Sequence, residues 1–107
     1  MNVITNNPEK SKHAILALQG VNDPEIGLNI VDLGLVYQLD FDMAGKKIYS
    51  RMTLTTQFCP MGNAILDAAR QALQEAFPGE AVEIILTFEP RWDTGKISPY
   101  GKEFLNK

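Results

Sequence analysis

Between Leu35 and Phe88 the spacing of apolar residues changes twice, and this restricts the fold more than any other feature of the chain. The first period is two. Leu35, Tyr37, Leu39 and Phe41 alternate with Val36, Gln38 and Asp40; after a turn at Asp42-Met43-Ala44-Gly45, Ile48, Met52 and Leu54 alternate with Tyr49, Arg51 and Thr53. Two such runs joined by a short turn read as a β-hairpin with one apolar face. Ser50 interrupts that face near the turn, where burial is expected to be incomplete. Over residues 60–77 the spacing becomes helical, with Ile65, Ala68, Ala69, Ala72, Leu73 and Ala76 in one stripe and Asp67, Arg70, Gln71, Gln74 and Glu75 opposite. The alanines predict close approach of this helix to a sheet, and Pro78-Gly79 ends it. Val82, Ile84, Leu86 and Phe88 then alternate again, giving a third strand. Strand, helix and strand in succession imply a right-handed crossover, so Val82–Phe88 is expected to lie parallel to Ile48–Thr56.

The flanks add helices. Asn7-Pro8-Glu9 combines an N-cap, a proline at the first helical position and an acid in the first turn; Ala14, Ile15, Leu18 and Val21 follow at helical spacing. His13 falls in this helix without a second histidine or a nearby cysteine, and is expected at a solvated edge. Ser98-Pro99 repeats the cap-then-proline signal, with Tyr100, Phe104 and Leu105 expected to pack that helix down and Trp92 to close an edge of the core. The 107 residues suffice for one core. The reading is one α+β domain over residues 9–107, a two-layer fold with a mixed sheet in the order α-β-β-α-β-α, preceded by a flexible tail at residues 1–8.

Composition excludes several function classes. A net charge of -3 and a pI near 5.0 disfavour nucleic acid as a partner. A single cysteine gives no internal disulfide and fits a reducing cytoplasm. No apolar run approaches the ~20 residues of a membrane span, and Met1 to Pro8 lacks the features of a signal peptide.

Cys59, before Pro60, falls at the expected N-cap of the alanine-striped helix. The N–H groups and dipole of a helix start favour a thiolate, so its pKa is expected below the ~8.5 of a free thiol and its sulfur available as a ligand. The competing reading is a small buried apolar side chain. Upstream, Val21 to Gly34 carries Asp23, Glu25 and Asp32, read either as turn and cap residues or as acids lining a site near Cys59. An antiparallel hairpin sets the start of its first strand beside the end of its second, which would bring Asp32 towards Cys59, with Thr55 and Thr56 able to donate hydrogen bonds to the sulfur.

Four segments in order, DPEIGLNIVDLGLVY (23–37), MTLTTQFCPMG (52–62), LTFEPRWDTGKIS (86–98) and GKEFL (101–105), resemble the MIP18 family, also called domain of unknown function 59. The resemblance covers about residues 9–106. It implies a small α+β domain and a role beside iron–sulfur cluster assembly. The family's acidic segment matches Asp23, Pro24 and Glu25, its Asp-Leu-Gly segment Asp32, Leu33 and Gly34, its threonine-rich strand end Thr55 and Thr56, and its cysteine Cys59. Gln57, Phe58 and Arg91 depart from the common pattern.

The function so implied is an accessory factor in cluster assembly or delivery to apo-proteins, acting through Cys59 as cluster or metal ligand. Its cargo would be a transient iron–sulfur cluster, and its partners scaffold or carrier proteins and apo-protein clients. One thiolate falls short of the roughly four ligands of a cluster; a homodimer supplying two is one way to add another. An alternative is a structural or adaptor subunit of a metalloenzyme such as a phenylacetyl-CoA epoxygenase-type complex. A thiol enzyme is less favoured, since no histidine lies near Cys59 in sequence to serve as base; the chain is read as a non-enzyme.

Overall fold

The computed structural model describes residues 3–24, 26–55 and 62–106. Its elements are β1 (Ile4–Thr5), α1 (Pro8–Leu18), β2 (Val36–Asp42), β3 (Lys47–Met52), α2 (Gly62–Ala76), β4 (Ala81–Leu86), a 3₁₀ turn (Thr94–Lys96) and α3 (Pro99–Leu105). The expected order of helices and strands holds, with one short strand added at the front.

The strands form a single mixed sheet in the order β1-β2-β3-β4. β2 and β3 make the antiparallel hairpin, with Leu39 opposite Ser50 and Phe41 opposite Ile48. The Gly45 N–H donates to Asp42 Oδ1 at 3.0 Å within its turn. β4 returns parallel to β3, Ile48 opposite Val82 and Met52 opposite Leu86, as the helical stretch between them requires. α1 and α2 bring Ala14, Leu18, Ile65, Ala69 and Leu73 into one core with Leu39, Phe41, Ile48 and Met52. The caps also form: Asn7 Oδ1 accepts from the Lys10 N–H at 3.2 Å, and Ser98 Oγ accepts from the Gly101 N–H at 3.0 Å.

Several local expectations are corrected. Within the segment expected as a free tail, Ile4 and Thr5 pair in parallel with Gln38 and Leu39. The Asn6 side chain also exchanges hydrogen bonds with the Phe41 backbone in both directions. The hairpin register shifts between Val36 and Gln38, so Val36 is buried and Tyr37 only half-buried. A bulge of this kind inserts one unpaired residue and changes which side chains face inward. Ser50 is fully buried, against the expected partial exposure, at the alternate position between fully buried Ile48 and Met52 on the core face of β3. Ala68 is exposed, and the buried stripe of α2 is Ile65, Ala69 and Leu73. α3 does not pack through its aromatic residues: Tyr100 and Phe104 are exposed, and the helix seats instead through buried Gly101. A Cβ at Gly101 would lie 2.9 Å from a Leu28 methyl and 3.1 Å from the Asp32 carbonyl oxygen. The close approach leaves no room for larger contacts.

Candidate functional site

The segment before β2 and the segment after β4 are far apart in sequence, and side-chain hydrogen bonds join them. Asp32 is the hub. Its Oδ1 accepts from the Ser98 hydroxyl at 2.6 Å and its Oδ2 from the Asn29 amide at 2.6 Å. Its backbone N–H donates to Asn29 Oδ1 at 2.9 Å, while its carbonyl accepts from the Ser98 N–H at 2.8 Å. The Ser98 hydroxyl therefore donates to Asp32 and accepts from Gly101, fixing the start of α3 against the loop.

Three further contacts extend this latch. The Trp92 indole N–H donates to the Leu33 carbonyl at 2.7 Å, so the tryptophan closes a core edge as its sequence context suggested. Gly34 has φ +80, and a Cβ there would overlap the Lys96 carbonyl oxygen. Two independent constraints thus select glycine. The Tyr37 hydroxyl donates to the Pro90 carbonyl at 2.9 Å. Burial raises the Tyr37 pKa above its ordinary 10.0; a hydrogen bond from Thr53 opposes the rise and the Asp93 charge adds to it. Below these contacts lies a cleft of about 520 Å³, with Val36, Gln38 and Arg51 on its sheet side and Pro90, Lys96 and Ile97 opposite.

Of the other candidate residues, Asp23 and Thr55 are described. Asp23 is buried; its backbone N–H bonds the Leu28 carbonyl at 3.0 Å and its Oδ1 accepts from the Ile26 N–H at 3.3 Å. Thr55 is half-buried at a bend beyond β3. The Thr53 N–H donates to the Leu35 carbonyl at 2.8 Å, so the start of β2 does lie beside the continuation of β3. Glu25, Thr56 and Cys59 lie outside the described residues, as do the departures Gln57 and Phe58. Among the described residues, no three His, Cys, Asp or Glu side chains gather in a group able to hold a metal ion. His13 is at an exposed edge, its ring edge-on to Phe77 with centroids 5.0 Å apart.

Sequence reasoning did not identify Asn29 and Ser98 as partners of Asp32. Ser98 was legible as a cap, and Asn29 to Asp32 has the spacing of a side-chain-to-backbone turn; only the fold brings the two together.

Residues of three of the four MIP18-like segments, 23–37, 86–98 and 101–105, therefore meet in this latch. The model of the family described as iron–sulfur cluster assembly protein matches residues 12–86. The chain belongs to that family. It is 40% identical over 86 residues to the Fe-S protein maturation auxiliary factor YitW of Bacillus subtilis, covering 80% of this chain and 83% of that one. It is 39% identical over 82 residues to the Fe-S protein maturation auxiliary factor SufT of Staphylococcus aureus, 77% and 92% of the two chains. The fold superposes on a DUF59 domain from Bacillus anthracis with a TM-score of 0.84 at 29% identity, over 94% of this chain and 98% of the other. No helix among the described residues is long and apolar enough to cross a membrane.

Proposed function

We propose that this chain is an accessory factor in iron–sulfur cluster assembly or delivery to apo-proteins, acting without being an enzyme. The observation that carries the reading is the family match over residues 12–86, joined by likeness over 80% and 77% of this chain to two proteins named as maturation auxiliary factors. The cluster is cargo. Cys59 is the chain's one thiol, in the segment between Thr55 and the Gly62 start of α2, and is the residue proposed to touch it. A single thiolate leaves most of a cluster's ligands to be supplied by a scaffold, a carrier or the client, which suits transient contact during transfer. Asp23 and Asp32 order the loop before β2, and the partners are cytoplasmic assembly proteins and their apo-protein clients.

The test is complementation of cells lacking the chain under iron limitation, read as the activity of a four-iron dehydratase. Cys59→Ser, at wild-type abundance, is expected to leave that activity at the level of the deletion. Full rescue by Cys59→Ser would overturn the cysteine's role.

A further inference from the structure

The two edges of the sheet are unlike. β1 is two residues long, and Asn6 closes its end against Phe41. β4 is six residues, Ala-Val-Glu-Ile-Ile-Leu, without proline or lysine, and Ile85 and Leu86 are 38% and 42% exposed. The Ala81 N–H bonds the Lys46 carbonyl and the Thr87 N–H the Met52 carbonyl. In a parallel ladder this assigns the odd-numbered backbone groups to β3, and leaves the N–H and C=O of Val82, Ile84 and Leu86 facing outward. A largely apolar edge of that length, unpaired among the described residues, is a template for another strand.

The geometry points to β4 as the seam of a homodimer, pairing antiparallel with β4 of a second copy about a two-fold axis through Ile84, with Arg51 of each copy reaching Glu83 of the other. The register follows from charge and parity. Outward groups sit on even residues, so hydrogen-bonded pairs must join even to even. An axis through Glu83 would set two carboxylates directly opposite, which is unfavourable. The axis through Ile84 pairs Val82 with Leu86 and Glu83 with Ile85, using most of the strand.

Charge complementarity supports a second copy as the occupant. On the helix-free face Arg51 lies beside Ile85 in register. Arg51 is exposed and has no ion pair among the described residues; Glu83 pairs through Oε1 with its own Lys47 at 3.6 Å, a solvent-exposed contact, so Arg51 of the second copy would share that carboxylate with Lys47. In the dimer the row runs Arg51, Ile85, then Glu83 of the second copy. Two strand spacings, about 10 Å, separate the outer Cα atoms, within joint reach of an arginine and a glutamate lying over Ile85. The two-fold axis makes this contact twice and covers both exposed isoleucines. The β3 strands of the two copies then run in opposite directions about 14 Å apart. The C-terminal ends of the two β3 strands thus lie at opposite ends of the seam. The proposal does not depend on the function proposed above.

Sedimentation equilibrium of the full chain tests it. A seam of one strand pair and two rows of side chains is a small interface, so a reversible dimer with Kd on the order of 1–100 µM is expected. Ile85→Lys, at an exposed site that leaves the fold's circular dichroism unchanged, should weaken it by at least about tenfold. Arg51→Glu should weaken it by about tenfold, and the double variant Arg51→Glu with Glu83→Arg should return it to within about threefold of wild type. A wild-type chain that stays monomeric up to about ten times the upper limit of that range overturns the seam, as does a dimer indifferent to Ile85→Lys. Failure of the double variant to restore pairing overturns the register.

Discussion

The core and the latch are held by different physics. The hairpin and β4 share a backbone ladder, and α2 joins them in one apolar cluster of many side chains. The latch between residues 29–37 and 90–101 depends on a few directed contacts: Asp32 with Asn29 and Ser98, Trp92 with Leu33, and Gly34 against Lys96. The core tolerates even a misfit, since buried Ser50 Oγ has no hydrogen-bond partner among the described residues. The latch has no such slack. A directed contact fixes residue identity, whereas an apolar cluster fixes only size and pattern. A motif residue is therefore not thereby a residue of the chemistry.

The largest expected effect is at Gly34. Gly34→Val combines a left-handed φ with overlap on the Lys96 carbonyl and should cost more than about 3 kcal/mol, or abolish folding, in urea titration. Gly79→Ala is the control: φ is +86, yet open space surrounds the missing Cβ, so only about 1 kcal/mol should be lost. Equal costs would show that backbone conformation alone, and not the close approach of the latch, selects glycine.

Asp32→Asn is next. It weakens two charge-assisted hydrogen bonds and sets an amide donor among other donors, at an expected cost of about 1–3 kcal/mol and with fraying of α3. Unchanged stability together with lost complementation would place Asp32 in the chemistry instead of the latch.

Ser50→Ala should move stability the other way, up by about 1 kcal/mol, because it removes a buried hydroxyl with no partner. A loss of stability would mean that the hydroxyl is bonded by buried water in solution.

What the sequence made legible follows the same division. Apolar period, caps and the crossover rule located the hairpin, α2 and β4 and set their directions, because those signals are local or topological. The bulge at Tyr37 was hidden, since an inserted residue leaves the alternation of Leu35, Tyr37, Leu39 and Phe41 looking intact. β1 was hidden because two residues carry no period, and Ile4 pairs only after β2 exists to receive it. At the candidate site, Asp32 was found by type and spacing, but its partners Asn29 and Ser98 come together only in three dimensions.

The smallest expected effect tests the outer edge of the latch by pH. Tyr37 donates to the Pro90 carbonyl, and burial raises its pKa above 10.0 in the folded chain. The raised value means that the folded state holds the phenolic proton more tightly than the unfolded state. The contribution is therefore fully present below the unfolded pKa near 10 and is lost as pH rises through the folded value. Tyr37→Phe has no such proton and also lacks the hydrogen bond, so at neutral pH it should be less stable by about 1 kcal/mol or less. As pH climbs past 10, wild type should lose stability faster than the variant, and the gap between their urea midpoints should narrow. Comparing the two chains cancels the titration of the other tyrosines and the lysines. A gap that stays constant across that window would mean that Tyr37 ionises as readily folded as unfolded, and that the latch ends at Trp92.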